Sequence, residues 1–196
     1  MTSRARPPKP VNLRAENLEP LNDALLDGED YEDALIELGV SERISSRKSR
    51  FFESQISIDS TLEWVAIDGA FRNSRIEIGR VGSMDFTAVT LNIVEFSGLK
   101  AGYANFVNAK LSDVHFRDCS FETLDLFGAS LKNVSFEQCR VDELDIRTVE
   151  IDGLDLRGLD FAGVRGLASL KGATISDSQL SQIAPELARS AGIHLG

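Results

Sequence analysis

The sequence places a large apolar residue at every fifth position over a long stretch. In NVSFEQCRVDELDIRTVEIDGLDL, residues 133–156, these are Phe136, Val141, Ile146, Ile151 and Leu156. A helix returns to its buried face at intervals of three and four, and a strand at two. A period of five excludes both as the main unit. The register extends from Phe86 to Phe161, with Ala101 as its one small member. A second apolar or small register runs two positions earlier, from Val89 through Val164. Self-similarity at a fixed period is the mark of a solenoid.

A weaker match recurs at twenty. Val94, Val114, Val134 and Leu154 form one column, Phe96, Phe116 and Phe136 another, and Leu99, Cys119, Cys139 and Leu159 a third. Residues that match at this spacing are expected to stack, so one coil takes four pentapeptides and has four short sides. Stacked coils bond as parallel strands about 4.8 Å apart, and the chirality of parallel crossovers makes right-handed winding the default. The predicted fold is an all-β solenoid, a right-handed quadrilateral parallel β-helix. Both apolar registers point inward, and the other three positions of each pentad face water.

The stretches GASLK, NVSFE, ELDIR, GLDLR and LSDVHF resemble the A(D/N)LXX motif of the pentapeptide-repeat family, with Val, Leu or Cys often replacing the small Ala. The resemblance covers residues 51–166 and implies the same quadrilateral β-helix. The Asp or Asn that precedes the central residue is kept at Asp85, Asn105, Asp125, Asp145, Asp155 and Asp160.

Three segments follow. Residues 1–50 are an N-terminal extension, with 1–10 expected to be disordered and 11–50 a candidate cap. Residues 51–171 form the β-helix. Its first coils are expected to be irregular, with Trp64 partly buried, because Ile67 to Phe71 is a four-residue step and Leu62 is out of phase. Residues 172–196 read as a short helical element. Ser176 and Gln179 fit a capping box, and Leu180, Ile183, Ala184, Leu187, Ala188 and Ala191 follow helical spacing toward Gly192. Pro185 is expected to kink or divide it. This helix caps the open end of the solenoid, or makes a homodimer as C-terminal elements do in the family.

Net charge is −10, which argues against direct nucleic-acid binding. No apolar run approaches the roughly 18 residues of a membrane helix, and no apolar region follows MTSRARPPKP. With two cysteines there is no disulfide framework, and a cytoplasmic location is expected. His115 and His194 are each expected to lack a neighbouring nucleophile and orienting acid. Cys119 and Cys139 read as core filling, and the glycines form no phosphate-binding pattern. The chain is therefore read as a non-enzyme with no cofactor and no metal.

Charge placement remains. Asp85, Asn105, Asp125 and Asp145 fall in one column, flanked across a corner by Glu122, Asp142 and Glu143, with Phe127 pointing outward beside them. Lys132, Arg117, Arg157, Lys100 and Arg140 map to other faces. Like charges about 5 Å apart repel by up to roughly 1 kcal/mol in water. Either the column is turn chemistry, each carboxylate bonding nearby backbone, or these acids form a partner-binding face with Phe127 as its apolar anchor. The second reading makes the protein a rigid acidic rod that binds an unidentified protein. The resemblance implies an alternative, since some family members bind DNA gyrase by imitating duplex DNA and protect it from quinolones. Five to six coils would span about 27 Å, or about eight base pairs.

Overall fold

Residues twenty apart in the chain lie over one another in space. The computed structural model describes residues 6–21, 24–190 and 192–194. Strands β1 to β6 are Glu19–Leu21, Asp30–Glu32, Ala34–Ser45, Arg50–Phe52, Gln55–Val65 and Ala70–Asp85. Strands β7 to β11 are Thr90–Ser97, Lys100–Asn105, Lys110–Arg117, Ser120–Asp125 and Ser130–Glu137. Strands β12 to β15 are Cys139–Asp145, Glu150–Asp155, Leu159–Arg165 and Ala173–Thr174. Two parallel stacks leave β6, one through β8, β10, β12 and β14 and the other through β7, β9, β11, β13 and β15. The twenty-residue register of the ladder runs from Asp30 to Thr174, which is about seven coils and about 34 Å of rise.

Like residues stack because the ladder puts them in register. Phe96, Phe116 and Phe136 are paired columns of the same strands, with ring centroids 5.0 and 5.1 Å apart and planes within 11°. Tyr31, Phe51 and Phe71 form a second stack at 4.8 and 4.6 Å. Each such ring removed from water contributes about 1.5–3 kcal/mol. The corners need left-handed backbone. One is turned by Lys48, Asp68, Ala88, Asn108, Gly128 and Thr148, another by Asp33, Glu53, Asn73, Ile93, Asp113, Asn133 and Gly153, all at positive φ. Asn, Asp and Gly reach that region most cheaply, which is why they recur in these columns, with Ala88 and Ile93 as apolar exceptions. At Gly128 (φ 67) a Cβ would also meet Asn108 Oδ1 at 2.5 Å.

The N-terminal expectations need correction. The β-helix starts before residue 51, because β2 pairs with β4 and β3 pairs with β5 in the same parallel ladder. The five-residue register does not break in the first coils. Thr61 and Ala66 occupy it between Ile56 and Phe71, both buried, and their polarity and small size hid it. Trp64 is fully buried rather than partly so. It stacks between Ile44 and Met84 in the second inward register, and the small Ser46 beside it makes room: its indole N–H donates to Ser46 Oγ at 3.0 Å. Real irregularity is confined to one side. There Ile58 and Ile78 are buried while Asp59 and Gly79 are exposed, whereas later coils bury Leu99, Cys119, Cys139 and Leu159. Strands β3, β5 and β6 accordingly continue through that corner, at 12, 11 and 16 residues.

Residues 6–10, expected to be disordered, lie along the solenoid; residues 1–5 fall outside the described residues. Lys9 N–H donates to Asp113 Oδ1 at 3.2 Å. Asn12 and Asn73 exchange hydrogen bonds between backbone and side-chain amide, both at 3.0 Å.

At the other end lies α1, Asp177–Ser190. Gln179 Oε1 accepts from Ser176 N–H at 2.8 Å, and Ser176 Oγ accepts from Gln179 N–H at 3.2 Å, a reciprocal capping box. Gln179 Nε2 donates to the Leu156 and Leu159 carbonyls at 2.6 and 2.8 Å, and Gln182 Nε2 to that of Phe161 at 2.7 Å. The helix thus supplies donors to carbonyls of the last coil, and Ile183 is buried in the core. Pro185 lies inside the helix without dividing it. It is on the exposed face, where water can satisfy the carbonyl it leaves without a donor.

Phe116→Ala should destabilise the fold by about 3–5 kcal/mol, read by chemical denaturation, and Phe116→Asp should abolish soluble protein. A well-folded Phe116→Asp chain would contradict the stacking register. Deleting 175–196 should lower the melting temperature and promote end-to-end association on sizing; a truncated monomer of unchanged stability would show that the helix does not protect the end.

Candidate partner-binding side

The acidic column is built from corner turns. Asp85 Oδ1 accepts from Thr87 N–H at 3.1 Å and from its hydroxyl at 2.7 Å. Asn105, Asp125 and Asp145 repeat the contact, their Oδ1 atoms accepting from Val107, Phe127 and Arg147 N–H at 2.9, 2.9 and 3.0 Å. Asp155 does so with Arg157 at 3.1 Å. Each is a side chain bonding its own backbone two residues on, the ordinary use of Asp and Asn at a turn.

Neighbours also reduce the repulsion. Asn105 Nδ2 donates to Asp85 Oδ1 at 3.1 Å, which places a neutral amide between two carboxylates. Tyr103 O–H donates to Asp125 Oδ2 at 3.1 Å. Asp145 is buried, with the Arg147 guanidinium at 3.0 and 2.6 Å. Glu143 has Arg165 at 3.6 Å. Glu122 and Asp142 are exposed and have no ion pair among the described residues. Phe127 is 37% exposed, and the Arg147 guanidinium carbon lies 5.3 Å from its ring centroid. The fold therefore brings Asp85, Asp125, Asp145 and Phe127 onto one side of the rod, with Glu122, Asp142 and Glu143 leading into it. Arg147 and Arg165, which the sequence reading did not count, stand among them. The D-x-R spacing at 145–147 was the available signal.

His115 corrects a second expectation. Its Nδ1 lies 2.7 Å from Ser135 Oγ and its Nε2 lies 3.2 Å from Glu137 Oε2, so a hydroxyl and an acid do flank it. The twenty-residue spacing that stacks His115 on Ser135 was visible. Arg117 Nε also reaches Glu137 at 3.2 Å. The segment Pro7–Val11 covers this cluster, leaving a cavity of about 240 Å³. The backbone there is committed to the ladder on both sides of Ser135, so it offers no pair of free N–H groups for an oxyanion. The arrangement reads as a surface polar network. Cys119 and Cys139 are buried and free, their thiols donating to the Arg117 and Glu137 carbonyls at 3.1 and 3.2 Å. The hydrogen bond with Cys139, together with burial, pushes the Cys119 thiol up, away from a reactive thiolate. Among the described residues no group of His, Cys, Asp and Glu could hold a metal ion, and no helix is long and apolar enough to cross a membrane.

Parallel coils with short sides, inward stacks and turn-capped corners define a β-solenoid repeat protein. Residues 80–146 match the family described as a pentapeptide repeat region. No curated protein matches the chain. Among solved structures, two trypsin-treated variants of QnrB1, a plasmid-mediated fluoroquinolone resistance protein, are similar. The first is 14% identical, covering 89% of this chain and 100% of that one, with a TM-score of 0.29. The second is 13% identical, covering 86% and 100%, with a TM-score of 0.20.

Hydrogen bonds from the Arg147 guanidinium hold Asp145 below the usual carboxylate value, and those from Arg157 do the same for Asp155. A depressed folded-state pKa contributes stability that is present above the unfolded value and lost as pH falls through the folded one. Here that loss lies below the ordinary aspartate value of 3.8. Asp145→Asn keeps the acceptor for Arg147 N–H and removes the charge. The variant should melt lower at neutral pH, and its curve should converge on the wild type as pH falls below about 4. Parallel curves across that range would show that the ion pair does not contribute.

Proposed function

We propose that the chain is a non-enzymatic interaction scaffold, a rigid rod that binds a basic surface of another protein through the side carrying Asp85, Asp125, Phe127 and Asp145 and the adjoining Glu122, Asp142 and Glu143. The observation that carries this reading is the partly exposed Phe127 ring on the side that carries Asp125 and Asp145, with the exposed Glu122 and Asp142, which have no ion pair among the described residues, leading into it. An aromatic anchor with a charged rim is the usual composition of a binding hot spot. Turn chemistry accounts for Asp85, Asp125 and Asp145 holding their positions, but not for Glu122 and Asp142, whose side chains have no backbone hydrogen bond among the described residues.

DNA gyrase, as the target of a duplex imitator, is the narrower alternative, and charge density weighs against it. About 34 Å of rod matches ten base pairs, and a duplex carries one negative charge per about 1.7 Å, or roughly twenty over that length. The proposed side offers six carboxylates: Asp85, Glu122, Asp125, Asp142, Glu143 and Asp145. Arg147 and Arg165 offset two of them. A homodimer through the C-terminal helix would lengthen the rod without raising that density.

Purified gyrase in a supercoiling assay, with and without the protein, tests the alternative; no change in supercoiling or quinolone sensitivity removes it. For the scaffold, partners captured from the native host should release as salt rises, since exposed charges are screened within about 8–10 Å. Changing Asp125, Asp142 and Asp145 to Asn and Glu143 to Gln should weaken binding while the β signal of circular dichroism persists. Phe127→Ala should weaken it more than any single acid substitution. A complex indifferent to salt and to these changes would move the interface to another side.

A further inference from the structure

A groove of about 450 Å³ runs along the side of the rod that adjoins Phe127 and ends at Glu122 and Asp142; its head is lined among others by Val40, Leu62, Arg80, Gly82, Lys100 and Gly102. Its depth follows from the sequence. Ala101 is the one small residue of the inward five-residue register between Phe86 and Phe161, and two outward positions beside it, Gly82 and Gly102, carry no side chain. A Cβ on Gly82 would meet the Leu62 carbonyl at 2.7 Å, and one on Gly102 the Gly82 carbonyl at the same distance. The wall is therefore pinched inward where those coils stack.

The head of the groove is open for a separate reason. Leu21 stacks on Ile36, an offset of fifteen, whereas Asp27 accepts from Arg47 N–H at an offset of twenty. Five residues, one side of the square, are missing between those two points. Among the described residues, β3 beyond Ile36 pairs only with β5, so its outer edge lies bare. Val40 on that edge is 83% exposed, and Leu62 on the next coil 68%. Exposed apolar residues beside an unpaired strand edge are features that folded chains ordinarily avoid.

Charge sets the occupant. On a chain of net charge −10, Arg80 and Lys100 are exposed on neighbouring coils with no carboxylate partner among the described residues. At the far end Arg140 stands with Glu122 and Asp142, so the cationic character belongs to the head of the groove. We propose that this head, from Val40 to Lys100, docks a short extended segment of a partner protein that places apolar side chains on Val40 and Leu62 and carboxylates against Arg80 and Lys100. Three coil steps separate Val40 from Lys100, about 14 Å, which is about four residues of extended chain. The glycine floor admits a backbone close to the wall, and the carboxylates Glu122 and Asp142 reject continuation of the negative charge beyond it. The head of the groove is separate from Phe127 and takes a partner of opposite sign, while Glu122 and Asp142 at its far end belong also to the proposed acidic interface.

The test uses the full-length chain and fluorescence anisotropy of a labelled peptide, Leu-Ser-Leu-Asp-Glu, with Leu-Ser-Leu-Lys-Lys as its control. The acidic peptide should bind and the lysine peptide should not, and the affinity should fall as salt rises. Arg80→Glu with Lys100→Glu should weaken binding roughly tenfold, as expected for two reversed rim charges. Leu62→Asp should also weaken it, while Phe127→Ala should leave it unchanged. Both cations are exposed and unpaired, so the charge-reversed chain should keep its melting temperature; should it not, Lys100→Ala and the salt dependence of the wild type carry the same comparison. Failure of the wild type to bind the acidic peptide, equal binding of the lysine peptide, or indifference to the charge reversal would overturn the assignment.

Discussion

Main-chain hydrogen bonds between coils require residue n to lie on residue n + 20, and most other features of the structure are consequences of that requirement. An inward column must be filled by side chains that tolerate their own kind above and below. Phenylalanine does so by offset stacking, at the 5.0 and 5.1 Å spacings of Phe96, Phe116 and Phe136. A corner must repeat its left-handed residue in every coil, which draws Asn, Asp and Gly into columns. The Asp85 to Asp145 column is then less anomalous than its charge suggests. A hydrogen bond to a charged group contributes about 1.5–3 kcal/mol, against at most about 1 kcal/mol of repulsion from a neighbour in water. The turn wins, and Asn105, Tyr103 and Arg147 reduce what repulsion is left.

Residues 86–166 were legible because both inward registers there are apolar, so period and burial coincide. Before Phe86 they part company. Ser46, Thr61 and Ala66 keep the period without the apolarity, and Ile67, next to Ala66, offered a false phase. Trp64 then appears in a register that elsewhere holds no aromatic ring, which is intelligible only once Ser46 is seen accepting its indole N–H. The arm at Pro7–Asn12 had no comparable signal. It is held by Lys9 on Asp113 and by the Asn12–Asn73 pair, contacts across 104 and 61 residues of chain that no local pattern encodes.

The candidate site was legible in part for the same reason. A column of acids can be read at a spacing of twenty, since outward positions stack as faithfully as inward ones. Side-chain reach cannot. Arg147 folds back on Asp145 and toward Phe127, so the acidic side carries a guanidinium at its centre. The outward positions of each side vary independently of the core, and adjoining sides have acquired opposite charge. One rod of about seven coils therefore presents several chemically separate strips.

The missing side at the start of the solenoid has a meaning for how such a chain can change in length. Inside the stack a gain or loss of five residues would throw every later corner onto a straight edge and every inward ring onto a different column. Only whole multiples of twenty leave the interior in register. At Leu21 the offset changes by five and nothing above it has to match, so the lost pentad is absorbed as an uncovered edge. Lengthening from within thus proceeds by whole coils, and single pentads can be gained or lost only at an end. The two ends of the rod are the places where variants of this protein can differ in small steps.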